Sequence, residues 1–337
     1  MTHASPRDRL GSLLSTLLAL AGACFLLFAA IPASAEETIR DRASYAAVKE
    51  LVVDGGPVGI EARSGAAGSA LLVERRDFPP DYRLLADRRG DRLELRVEAP
   101  AFQLGFGFAA RRPRIILSIP RGALVELGSS SGDISLRGHE ALRAVLRSSS
   151  GDIEVSDSSA GLELESSSGS IAAARCSGAI AARSSSGGIE LEACRGAKDL
   201  LTSSGDIALR GSAGDARART SSGSFSAFDV SGDLFVETTS GSVSLEGTKG
   251  KLSALTGSGD VSGRGVRLTG DSTFGTSSGE VSLELENAAS ELRFELSSSS
   301  GSLAAAGSRG EKRLVAGSGR ILVKGSSSSG DQGYSTR

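Results

Sequence analysis

Catalysis, metal binding and redox chemistry each need particular side chains at particular spacings, and this chain offers few. Of the three cysteines, Cys176 and Cys194 lie beyond the first 35 residues and stand 18 residues apart, and of the two histidines only His139 lies beyond them. A lone imidazole leaves the many serines without a base, and no run of His or Cys has metal-ligand spacing. No catalytic residue, cofactor or metal site is therefore expected. Acids recur behind glycines at Asp133, Asp152, Asp206, Asp233, Asp260 and Glu280, an arrangement that invites comparison with calcium-binding β-rolls. Here, however, the acid directly precedes an apolar residue, and Ser170, Gly188, Ser224 and Ser242 interrupt the column. These side chains are expected to hydrogen-bond the corners instead. Phe102, Leu104, Phe106 and Phe108 alternate along one face, as a contact patch or as packing over the end of a core. Near them, the pairs Arg75-Arg76, Arg88-Arg89 and Arg111-Arg112 concentrate positive charge, either to meet anionic polymers or as solvated surface.

The element that must position these groups is a repeat. A Ser-Gly corner recurs at Gly132, Gly151, Gly169, Gly187, Gly205, Gly223, Gly241, Gly259, Gly279, Gly301 and Gly319, mostly at intervals of 18 residues. Two residues after each stands Ile, Val, Leu or Phe, from Ile134 to Ile321, a column a flexible Gly/Ser linker would not keep in phase. Alternation in Gly205-Asp206-Ile207-Ala208-Leu209 marks a short strand with Ile207 and Leu209 on one face, and a second strand follows half a coil later, as at Leu234 to Val236. The fold class expected is all-β, a right-handed parallel β-solenoid with coils of roughly 18 residues and two short strands each. Glycine is expected at the corner for positive φ and for room beside the next coil, and the preceding serine for hydroxyl bonds there. The intervals of 20 and 22 residues, from Gly259 to Gly301, imply extra turn residues or a bulge. Thr202, Thr220, Thr238 and Thr256 share the inward parity of Leu200 and Val236, so they form a buried hydroxyl ladder rather than an exposed one. Stacked in neighbouring coils, Cys176 and Cys194 would have Cα atoms about 4.8 Å apart, within reach of a disulfide; the alternative is two small side chains packed together.

The domain reading follows. Residues 1–35 read as a signal segment: Arg7 and Arg9, an apolar run from Leu13 to Ile31, then Ala33-Ser34-Ala35, with the mature chain starting at Glu36. The run is also long enough to remain as an anchor, the one case in which a membrane is a partner. Residues 36–125 form an N-terminal β-rich cap, 126–325 the solenoid and 326–337 a disordered tail. A formal net charge of −2 disfavours nucleic acid.

The segment Ile115-Ile116-Leu117-Ser118-Ile119-Pro120, followed by Ser131-Gly132-Asp133-Ile134 and copies such as Ser204 to Ile207, resembles the bacterial "putative adhesin" family over roughly residues 45–325. The resemblance implies a β-solenoid, an envelope location and an adhesin role, and carries no catalytic signature. The function expected is that of an exported, non-enzymatic adhesin-like or scaffolding protein, its partner an envelope or surface component, protein or polysaccharide. Alternatives are a regulatory or sensory partner in envelope homeostasis, contacting another protein through residues 36–125, and, third, a carbohydrate-active β-helix enzyme.

Overall fold

The computed structural model describes residues 36–100 and 112–337. Residues 1–35, expected to be a signal segment, and the patch Phe102, Leu104, Phe106 and Phe108 lie outside the described residues. The body is all-β, with two long sheets of 16 and 17 strands. In the regular region each coil contributes one strand to each sheet. Val243–Glu246 pairs in parallel with Phe225–Phe228 below it, as Phe225–Phe228 does with Ile207–Arg210. The partners are like residues one coil apart, Ile207 between Ile189 and Phe225. The parallel ladder of one sheet runs unbroken from Arg92–Glu98 to Leu292–Ser298, about 58 Å at 4.8 Å per layer.

The inward column holds as expected through the regular coils, with Ile153, Ile171, Ile189, Ile207, Phe225, Val243 and Val261 all at most 1% exposed. The corner glycines serve close approach alone. None of Gly151, Gly169, Gly187 or Gly205 has positive φ, and a Cβ on each would collide with the backbone of the corner glycine in the coil below. Positive φ sits elsewhere, six residues on, at Gly138, Asp157, Arg175, Ala193, Gly211, Asp229, Gly247 and Gly265 (φ 51 to 66). There the chain leaves one sheet, except at Gly265, which lies within the strand Val261–Leu268.

The hydroxyl that closes the corner stands three residues before the glycine; the Ser expected for this role, immediately before it, is exposed at Ser131 and Ser150. Thr238 Oγ1 accepts from Gly241 N (3.1 Å) and donates to Gly223 O in the coil below (3.0 Å). Thr202, Thr220, Thr256 and Thr276 repeat the pattern. Ser148 and Ser166 hold the position without a hydroxyl partner. Because the hydroxyl is buried and bonded twice, Thr238→Val is expected to cost about 1–3 kcal/mol in urea unfolding, and Thr238→Ser much less. Equal midpoints for the two variants would mean the bridge is idle.

Both ends of the stack depart from sequence order. Residues 36–125 supply more than a cap: Glu50–Asp54 and Gly59–Ser64 form a coil inserted between the coil of Arg92–Glu98 and Arg114–Ile119 and the coil beginning at Leu124. Antiparallel strands Arg83–Arg89 and Leu71–Arg76 then close that end. At the other end, the tail expected to be disordered is the last coil. Its strands Ile321–Ser327 and Gln332–Thr336 slot between the Gly279 coil and the Gly301 coil. Gly319 therefore leaves the corner column, since it packs on Glu291 and Leu292, and Gly330 takes that place between Gly279 and Gly301. The inward residue at this layer is Gln332, whose Nε2 donates to Ser297 O (2.7 Å) and Ser327 Oγ (2.9 Å). Tyr334 fills the core beside it against Phe274 and Phe294. The 20-residue interval contains the bulge expected, a register shift between Gly263 and Val266, and the 22-residue interval contains a 3-10 turn at Ala289–Glu291.

Candidate functional site

Outward side chains of the regular coils mostly neutralise one another across layers. Arg147 bridges Glu126 and Glu165, and Arg143, Arg175, Arg210 and Arg219 reach Glu163, Asp157, Glu190 and Glu237. All are exposed pairs, worth at most about 1 kcal/mol each. The corner acids bond the coil above, as expected: Asp152 Oδ1 accepts from Ser170 N (2.7 Å), and Asp206 Oδ1 from Ser224 N (2.8 Å). Asp233 belongs to the opposite corner, where its carboxylate accepts from Lys251 N and Asp215 accepts from Asp233 N.

A groove of about 840 Å³ interrupts this neutral surface at the first-coil end. Its floor is the outer face of three parallel strands, Arg114–Ile119, Gly59–Ser64 and Ile134–Arg137. The register sets like charges side by side: Arg63 faces Arg137 across one strand pair, and Arg76 faces Arg114 across another. Like charges directly opposite on a sheet destabilise it. Glu61 pairs with Arg114, Glu154 with Arg137 and Glu74 with Arg76. The Arg76 and Arg42 hydrogen bonds hold Glu74 below the usual carboxylate range, so it stays ionised. Arg63 and Arg112, which also line the groove, have no partner among the described residues, and Arg114 Nε is buried without one.

Of the arginine pairs singled out in the sequence, Arg76 and Arg112 reach this groove. Arg75 stacks over Phe78 (4.5 Å) and donates to Ile39 O, Arg88 donates to Ala46 O, and Arg89 holds Asp87. Those three are structural. Arg63, Arg114 and Arg137 carried no local signal, because only the out-of-order first coil brings them together.

Cys176 and Cys194 lie in neighbouring coils, both buried and both free thiols. Each follows a left-handed residue, Arg175 (φ 54) and Ala193 (φ 52). The hydrogen bond from the Cys176 thiol draws Cys194 down to about 7 and pushes Cys176 up. Lys198, unnoticed in the sequence, points inward between Ile180 and Ala216. It is 4% exposed, with Nζ donating to Gly196 O (2.9 Å) and Ala213 O (2.7 Å); burial lowers its pKa.

His139 is fully buried, and neither ring nitrogen has a hydrogen-bond partner. Burial pushes its imidazole below the ordinary 6.5, and the nearby Ala123 backbone opposes this in part. A depressed imidazole binds its proton less well folded than unfolded. Its stability contribution is therefore complete above about pH 6.5 and is lost as pH falls from there through the folded value. Thermal unfolding should show Tm declining below pH 6.5 in the native chain before the carboxylates titrate, and the His139→Leu variant should lack this early decline. Coincident profiles would contradict the burial of a neutral ring.

No curated protein matches the chain. Among solved structures, a "putative cell adhesion protein" from Clostridium sporogenes ATCC 15579 matches at 11% identity, covering 89% of this chain and all of that one, with a TM-score of 0.20. A "putative adhesin" from Bacteroides fragilis NCTC 9343 matches at 11% identity over 90% of this chain and 98% of that one, TM-score 0.29. A "putative lipid binding protein" from Parabacteroides distasonis ATCC 8503 matches at 14% identity over 88% of this chain and 96% of that one, TM-score 0.26. At such TM-scores the assignment rests on the ladders and on the family match. The family description Toastrack DUF4097 matches residues 123–234 and 177–332, which takes in most of the coils. The chain belongs to the Toastrack DUF4097 family.

Proposed function

We propose that the chain is an exported, non-enzymatic rod of the bacterial envelope that acts in adhesion or scaffolding. The observation that carries this reading is the unbroken in-register ladder. Coil after coil is bonded to the next through both sheets, and at most corners a buried hydroxyl adds a further link. Such a stack resists bending and presents the same outward positions again and again, which suits many weak contacts along its length. The leading segment Arg7 to Ala35 supports export.

Attachment of purified protein to envelope material, measured for variants lacking whole coils, tests the reading. Binding should weaken step by step with coil number while circular dichroism stays β-type. Binding indifferent to coil number would overturn a role for the rod.

A further inference from the structure

We propose that the groove at the first-coil end is a binding site for an acidic polysaccharide, held by Arg63 and Arg137 on one flank and by Arg76, Arg112 and Arg114 on the other. The regular coils match many of their arginines with an acid one layer away. The groove also matches Arg76, Arg114 and Arg137 with acids, but it keeps two in-register arginine pairs and two arginines with no partner among the described residues. An anion seated between neighbouring guanidinium groups relieves their repulsion, and the planar fork of arginine suits carboxylate, sulfate and phosphate oxygens.

The spacing points to a chain rather than a small ion. Arg114 is the register partner of Gly59, and Arg63 lies four residues further along that strand, about 13 Å away at strand rise. One carboxylate cannot span both flanks, whereas successive anions on a polymer can. The floor between them chooses among polymers. Glu61, Ser135 and Glu154 occupy the middle row. Their acceptor oxygens repel a uniformly anionic strand and accept hydrogen bonds from sugar hydroxyls. Among the described residues no aromatic ring lines the groove, so these residues offer none of the stacking platforms that hold single-stranded nucleic acid. A polymer that alternates acidic groups with hydroxyl donors fits both rows.

This site goes beyond the distributed contacts of the rod, and purified protein in solution isolates it. Polygalacturonate is the probe, with neutral dextran, polyphosphate and single-stranded DNA beside it in calorimetric titrations at low and high salt. The native chain should bind polygalacturonate with salt-sensitive affinity and should not bind dextran. Arg63→Gln combined with Arg112→Gln should weaken binding about tenfold, and Arg219→Gln, on the other sheet, should leave it unchanged. Since neither groove residue has a partner among the described residues, Tm should hold; if the double variant melts early, the two single variants, each expected to lose about threefold, decide the matter. Unchanged affinity in these variants, no polygalacturonate binding by the native chain, or tighter binding of polyphosphate or DNA would each overturn the proposal. Deleting central coils spares the groove, so this site and the rod's adhesive role can fail separately.

Discussion

Ile207→Asp is expected to unfold the solenoid around it, at a cost on the order of 4 kcal/mol. Ile207 is wholly buried between Ile189 and Phe225 of the adjoining coils. A carboxylate there has no cation within the column and must either protonate or open the stack to water. Its neighbour Asp206 faces outward, and its one corner bond, to Ser224 N, sits where water can replace it. Asp206→Ala should therefore cost no more than about 1 kcal/mol. Chemical denaturation of the two variants separates the faces of the strand. Similar losses would mean that the inward and outward assignments are wrong.

Gly205→Ala should be nearly as damaging, although it adds a single methyl. A Cβ at Gly205 falls onto the carbonyl of Gly187 in the coil below. Both are backbone, so no side chain can swing aside and the two layers must part. Overpacking of this kind costs about 3 kcal/mol when nothing can yield. Gly211→Ala is the matched control. Its φ is +54, yet the space beside it is open, and Ala193 holds the equivalent position one coil earlier at φ 52. The control should lose about 1 kcal/mol. Should Gly211→Ala prove the worse of the two, the corner would be selecting glycine for its dihedral angles rather than for the close approach of coils.

These contrasts mark what the sequence could disclose. A strand that repeats every 18 residues writes its facing into the order of apolar and polar side chains, so Ile207 inward and Asp206 outward were legible, as was the buried threonine ladder. Contacts between coils were legible only where the chain climbs one layer at a time. At both ends it does not. Gly330-Asp331-Gln332 is a corner with a polar inward residue, and it lies between layers that precede it in sequence, so it read as tail. Gly319 kept the local pattern of a corner and lost its place in the column. The groove was hidden for the same reason: Arg63 and Arg137 are neighbours only because an early coil is inserted between two later ones. Lys198 was missed differently. Its alkyl stem satisfies the core and its ammonium finds two corner carbonyls, an accommodation that no local pattern announces.

If the regular coils are equivalent layers of one rod, whole layers can be removed without disturbing the rest. Deleting Gly223 to Ser258 removes two whole coils and joins Ser222 to Gly259, leaving Thr220 where Thr256 closed the corner. Small-angle scattering on the native chain and this variant measures the consequence. A folded, β-type protein is expected, its longest dimension shorter by about 10 Å, two layers at strand spacing, with its cross-section unchanged. A variant that unfolds, or one that keeps its length while its cross-section shrinks, would contradict that expectation.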